Sequence, residues 1–386
     1  MTPIDLTHVP LADNHCHGIY HTQRVKDIGS WRQYFTESSD PGMRSTHVAT
    51  TAFYRRLLRA MAQFFACEAT EDAILAARQK YDDRSLVSLY LQAANFKVLF
   101  LDKGYPSVDA IFSDAEHAEL ANCQVAPMLR VELVMQDLIA KYDTLPTVIE
   151  ALKAALNDVR GQGYVALKSI AAYRTGLAIR VWGNDDVNAA FVEARREVQE
   201  HGKVRLAHKP LLDTLLHVTF AEAARQELPI QFHTGYGDTD ADMILANPLN
   251  LRAVLERKEY RSMPIVLLHE SYPYTRQGAY LAAVYENIYL DLSYGIPLLG
   301  YNEMLNFTRG AFDVAPSSKL LYSSDGIWLP EFHWLSARDG RSIIGQVLGE
   351  RVASDELDTA EAETVGRAVL CDNALRLYGI STHSAV

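Results

Sequence analysis

Short apolar runs recur along this chain, and each is followed by a longer stretch with amphipathic spacing. The runs cover residues 11–12 (LA), 97–101 (KVLFL), 125–131 (VAPMLRV), 164–170 (YVALKSI), 229–233 (PIQFH), 264–269 (PIVLLH), 288–292 (IYLDL) and 319–323 (KLLYS). They predict eight short strands. Between them, residues 144–160, 185–199, 211–226, 250–258, 275–285 and 302–311 carry the spacing of helices. Strand and helix in alternation argue for parallel βα units. Runs that stay apolar throughout, rather than alternating, fit a sheet covered on both faces.

Two connections are longer than such units need. Residues 18–95 separate the first two strands and hold helical stretches at 49–67, 71–80 and 85–94. They predict a helical insertion over one mouth of a barrel. No linker flanks it, so residues 1–386 are expected to form a single domain. Residues 174–228 predict two helices, and residues 331–348 and 357–378 predict terminal helices. Long insertions of this kind usually shape a substrate site.

Polar residues gather where the apolar runs end. His15 and His17 stand two apart in DNHCH. Period-two alternation puts both on one face of an extended segment, where two imidazoles can share a cation. Cys16 then faces the other way. His233 closes PIQFH, His269 closes PIVLLH, and Asp325 follows LLYSS. Each has a bland reading by itself: a polar turn, a hydrogen-bonded histidine, an acid capping the next helix. As a set they argue for closure of the sheet. In a (β/α)8 TIM barrel the C-terminal strand ends converge on one face, whereas an open sheet would hold its first and last strands apart. The predicted class is therefore α/β, a (β/α)8 barrel with a helical insertion after the first strand.

Composition narrows the function. The 386 residues carry a net charge of −11, which offers nucleic acid or anionic lipid no general attraction. Neither is expected as a partner; a small-molecule substrate is. No apolar run approaches the roughly 20 residues of a membrane span. The N-terminal residues do not read as a signal peptide. The four cysteines, Cys16, Cys67, Cys123 and Cys371, are scattered and form no C-x-x-C pair. Reduced thiols in a cytoplasm are the expectation. A homo-oligomer stays open.

The ordered set of HxH, a later lysine, two histidines and an aspartate resembles the amidohydrolase superfamily. Within it the chain resembles the amidohydrolase-related branch, and most of all the amidohydrolase-like domain fused to glutamine synthetase in some fungal and plant proteins. The matching stretches are LADNHCHG, YVALKSIAAYRTGL, LPIQFHTGYGD, PIVLLHESYPYTRQ, NIYLDLSYG, LLYSSDG and CDNALRLYGI. Residues 18–95 match least well. The resemblance implies a metal centre with His15, His17, Lys168, His233, His269 and Asp325 as ligands, holding one or two Zn²⁺, Mn²⁺ or other divalent ions. It also implies that Lys168 is carboxylated and bridges two ions. A free ammonium beside a dication would be repelled, and CO₂ capture removes that repulsion. The rival is an unmodified Lys168 that binds substrate or pairs with an acid. A single-metal site with His15, His17, His233 and Asp325 would survive that, leaving His269 to polarise substrate or move a proton.

The expected reaction is hydrolysis of an amide or cyclic amide C–N bond, with Asp325 as general base toward a water activated by the metal. A polar, carboxylate-bearing substrate is expected, and the resemblance suggests a γ-glutamyl amide. Arg174, Arg130 and Arg276 are the candidate carboxylate forks, with Arg174 foremost because YRTG follows the strand of Lys168. Tyr173, Tyr236, Trp328 and Glu331 are candidate pocket residues. Glu331 and His333 have the alternative of simply starting a helix, and His208 and His217 read as structural. Two rival functions remain. One is a metal-dependent nonoxidative decarboxylase, and the other is a sensor or scaffold barrel without turnover.

Overall fold

The computed structural model describes residues 2–22 and 24–381. Its strands are β1 (Leu11–His17), β2 (Phe96–Asp102), β3 (Gln124–Arg130), β4 (Ala166–Ser169), β5 (Ile230–Phe232), β6 (Ile265–Leu267), β7 (Ile288–Ser293) and β8 (Leu320–Ser323). They form one sheet in the order β1-β2-β3-β4-β5-β6-β7-β8. The Asp325 N–H, just past β8, reaches the His15 carbonyl on β1 at 3.0 Å. First and last strands therefore meet, which is the topology of a (β/α)8 barrel.

Chain contacts divide the molecule into two compact units. The first comprises residues 2–126, 237–239 and 291–376; the second comprises residues 127–236, 240–290 and 377–381. In the first, β1 lies between β2 and β8. Helix Asp83–Ala94 leads into β2 through Asn95, whose φ of 56° suits an asparagine ending a helix. The insertion builds its own core from Trp31, Phe35, Phe53, Tyr54, Leu57 and Met61, which packs on Leu329, Phe332 and Trp334. In the second unit β4, β5 and β6 run side by side; Phe220 of helix Lys209–Arg225 packs on Phe232 of β5, and helices Leu145–Leu156 and Asn184–His201 lie against that helix. The two helices expected in 174–228 are Asn184–His201 and Lys209–Arg225.

Among the boundaries that differ from expectation, three have a clear local cause. β1 is seven residues long and wholly buried, although only its first two residues are apolar. The polar remainder stays inside because each side chain finds a partner there: Asp13 on Ser324, Asn14 on Asp291. β3 ends at Arg130, one residue early, because Arg130 is already the N-cap of helix Val131–Lys141. The single helix expected at 250–258 is three short pieces, Pro248–Leu251, Arg252–Leu255 and Lys258–Tyr260. Pro248 opens the first, and Asn247 caps it by accepting from the Leu249 N–H. Among the described residues no helix is long and apolar enough to cross a membrane.

Candidate functional site

In the first unit the histidine pair lies within β1 rather than beyond it. The two rings stand 4.9 Å apart, edge to face, as alternation along a strand requires. The register of β1 against β2 shifts between Asp13 and Cys16, so His15 sits on an irregular stretch. Such shifts re-aim side chains, and they favour functional sites. His15 Nε2 lies 3.6 Å and His17 Nε2 3.8 Å from Asp325 Oδ1. His17 Nδ1 lies 2.8 Å from the Tyr105 carbonyl, which can only accept. Its proton therefore sits on Nδ1, and Nε2 presents its lone pair toward Asp325. Cys16 points the other way, toward the Phe100 carbonyl, as expected.

Asp102 joins this group. One donor atom from each of His15, His17 and Asp102 lies within 4.8 Å of the others, and all three residues are buried. Sequence reasoning missed it. An acid closing the apolar run KVLFLD gives the same signal that singled out Asp325. Two imidazoles with hard carboxylate oxygens are donors that suit a divalent cation such as Zn²⁺ or Mn²⁺.

The turn that carries Asp325 is tied to β1 by directed bonds. Ser324 N–H donates to Asp13 Oδ1 at 2.7 Å, and the Ser324 hydroxyl donates to Oδ2. His17 N–H donates to the Gly326 carbonyl at 2.7 Å, and Trp328 N–H to the Gly18 carbonyl at 3.2 Å. Asp325 and Trp328 have φ of 48° and 61°; an aspartate enters this region more readily than most residues, but a tryptophan does so only when the surroundings hold it. Gly326 tolerates no side chain, because a Cβ there would fall 2.5 Å from His333 Nδ1. Burial pushes the Asp13 carboxyl up to about 8, opposed by Ser324 and aided by the charges of Asp291 and Asp325. Burial also holds the His333 imidazole down at about 3. Glu37 of the insertion, likewise unforeseen, is raised to about 7 by burial and then by Asp325 and Asp238.

The second unit gathers a different set. Lys168 is buried on β4, in register with Arg130 on β3. His233 and His269, just past β5 and β6, bring Nδ1 and Nε2 to 3.0 Å. His233 Nε2 lies 2.6 Å from the Tyr236 carbonyl, so its Nδ1 carries the lone pair. Tyr173 packs on His233 at 4.4 Å between rings, and Tyr236 on His269 at 5.3 Å. His269, Glu270 and Ser271 all have positive φ, of 63°, 49° and 56°, which marks a strained turn. Arg174 is half-buried, and its guanidinium forms neither hydrogen bond nor ion pair among the described residues. Burial and the like charges of Arg205 and Arg130 lower its pKa, against Glu132 and Asp240. Glu132 is itself engaged, accepting from the Ser169 hydroxyl and the Ile170 N–H.

Other expectations resolve differently. Glu331 does not line a pocket: it is fully buried and ion-paired to Arg78 of the insertion. Arg276 is exposed on the first turn of helix Thr275–Val284. Trp328 is half-buried against Tyr34 and Tyr105. His217 Nδ1 lies 2.9 Å from the Tyr260 hydroxyl, and His208 stands at the N-cap position of helix Lys209–Arg225 with Nε2 3.9 Å from Glu197.

Comparison with known proteins agrees with this architecture. The pattern of the Amidohydrolase family (Amidohydro_2) matches residues 133–380. Protein fluG of Emericella nidulans is 26% identical over 96% of this chain, which spans only 46% of that protein's length. A crystal structure described as a metal-dependent hydrolase from Lactobacillus casei ATCC 334 superimposes with a TM-score of 0.85 at 28% identity, covering 98% of each chain. A uronate isomerase from Thermotoga maritima shares the fold at 15% identity, with a TM-score of 0.65 over 96% of this chain and 95% of its own.

Proposed function

The chain belongs to the amidohydrolase family, and from that premise we propose that it is a metal-dependent hydrolase of a small, carboxylate-bearing amide or cyclic amide. The observation that carries this reading is the disposition of His15 and His17 toward Asp325. Two buried imidazoles offer ring nitrogens to the same carboxylate oxygen, one of them with its tautomer set by the Tyr105 carbonyl. These residues fit a divalent cation, with Asp102 beside them. A cation so held supplies Lewis acidity and brings the pKa of water toward neutrality.

Asp325 is assigned the proton work. Its carboxylate is the most exposed of the group, at 15%, and can take a proton from water and return it to the leaving nitrogen. Arg174 is assigned the substrate carboxylate. A half-buried guanidinium without an anionic partner is poorly stabilised until an anion arrives, and its fork matches a carboxylate in two bonds. A γ-glutamyl amide is the specific substrate proposed. Lys168, His233 and His269 are proposed as further metal ligands on the family pattern, with Lys168 carboxylated. No nucleic-acid or membrane partner is proposed.

Metal content per chain, intact mass with CO₂ retained, and turnover in H₂¹⁸O test these assignments together. Bound metal and ¹⁸O in the carboxylate product support hydrolysis. CO₂ release without label incorporation would replace it with decarboxylation. A protein inert after Zn²⁺ or Mn²⁺ loading would point to a sensor or scaffold.

A further inference from the structure

We infer that the buried Arg78–Glu331 ion pair positions the turn that carries Asp325, and that setting this turn is a function of the insertion. Arg78 ends helix Glu71–Arg78 of the insertion, and Glu331 is the second residue of helix Pro330–Ala353. Their side chains are 2% and 0% exposed. Taking two charges out of water costs several kcal/mol per ion, and apolar side chains of like volume often fill such a place at least as stably. The cluster that takes in the flanking Leu329 and Phe332 is largely apolar, with Trp31, Phe35, Phe53 and Trp334 among its members, and the Tyr90 and Tyr34 hydroxyls lie near enough to act on the pair or on one of its charges. Bulk stability therefore does not account for the pair. A charged hydrogen bond adds direction to what packing provides.

The direction matters at this point in the chain. Residues 324–329 leave β8, carry Asp325, and enter the helix at Pro330. Their first half is fixed by Asp13 and by the His15 and His17 backbone. Asp325 and Trp328 both hold positive φ, so the turn must also be held at its far end. There Leu329 and Phe332 sink into the insertion core, and Glu331 between them is clamped by Arg78. A second pair, Arg56 to Asp339 at 3.0 Å, ties the same helix to the insertion two turns further on. Arg78 and Glu331 are thus positioning residues: they act on the site through the backbone of the turn.

The test uses the full chain in two forms. One is the double variant Arg78→Met/Glu331→Leu, which removes both charges at similar volume; the other is Glu331→Gln, which keeps an acceptor for Arg78 and guards against misfolding of the first. Hydrogen exchange of the 324–329 amides is read beside that of β4–β6, and Co²⁺ titration reads affinity and the visible spectrum. Expected for the double variant is a near-normal Tm, exchange in 324–329 faster by about tenfold with β4–β6 unchanged, and Co²⁺ affinity lower by about tenfold with an altered spectrum. Glu331→Gln should show the same changes, smaller. Normal exchange in 324–329 in both variants would overturn the inference.

The metal readout rests on the function proposed above, and the exchange readout does not. A wild type that takes up no Co²⁺ while the variants loosen the turn would sink the metal reading and leave positioning intact. Co²⁺ binding with unchanged exchange would do the reverse.

Discussion

The strand ends of the two units are built for opposite charges. Around the ends of β1, β2 and β8 stand Asp102 and Asp325 with two histidines. Around β3, β4 and the loop after β4 stand Arg130, Lys168 and Arg174, with Arg205 near enough to act on Arg174. The first set is suited to a cation and the second to an anion. They also differ in how they are held. Asp325 sits on a turn fastened by at least five hydrogen bonds, whereas the Arg174 guanidinium is fastened by none among the described residues. The difference teaches which kind of group must be preorganised. A metal centre needs fixed donors, because ligand geometry decides affinity. A carboxylate fork can wait for its partner and gain its order on binding.

The sharpest way to separate the two regions is Asp325→Asn. The amide keeps the shape but accepts no proton, so kcat should fall by about 10²–10⁴ with the far-UV spectrum unchanged. Near-normal turnover in a metal-free Asp325→Asn protein would end the mechanism. Arg174→Met should do something different in kind. It should raise KM for a carboxylate substrate by about tenfold to a hundredfold, leave metal content alone, and have little effect on an uncharged analogue of that substrate. Equal losses on both substrates would erase the contrast. Ser324→Ala probes fastening alone: it leaves buried Asp13 without its hydroxyl donor, at a cost of about 1–3 kcal/mol in a urea titration.

The last prediction concerns pH and is read on stability alone. Buried His333 resists protonation, with a folded value of about 3 against 6.5 in the unfolded chain. Between these values the unfolded chain binds the extra proton. The stabilisation from this group is thus complete above pH 6.5 and is lost as the pH falls toward 3, by up to about 1.4 kcal/mol per pH unit. His333→Gln should flatten the acid limb of the Tm profile, measured with chelator present. An acid limb as steep as that of wild type would place the proton elsewhere.

Much of this was legible in the residues. Eight apolar runs predicted eight strands, and the HxH pair announced its own geometry because strand alternation fixes the side-chain direction two residues on. The burial of β1 was not legible, since DNHCH carries no hydrophobic signal and stays inside only through partners on β7 and past β8. Asp102 could have been found by the rule that found Asp325. Glu37 could not, because nothing in TESSD marks one acid as near enough to feel the charge of Asp325. Glu331 misled, because an acid just after Asp325 reads as a site residue when Arg78, 253 positions earlier, is out of view.

By itself, then, the sequence determined the family, the order of strands and helices, and which strand ends carry imidazole, carboxylate, ammonium or guanidinium. These follow from local periodicity and residue chemistry, which need no third dimension. Only the tertiary structure decided that Asp102 stands with the histidine pair, that the Arg174 guanidinium forms no ion pair among the described residues, and that Glu331 is clamped within the insertion core. Charge partners are chosen by distance in space, and closing a chain brings together residues whose separation along it carries no such information.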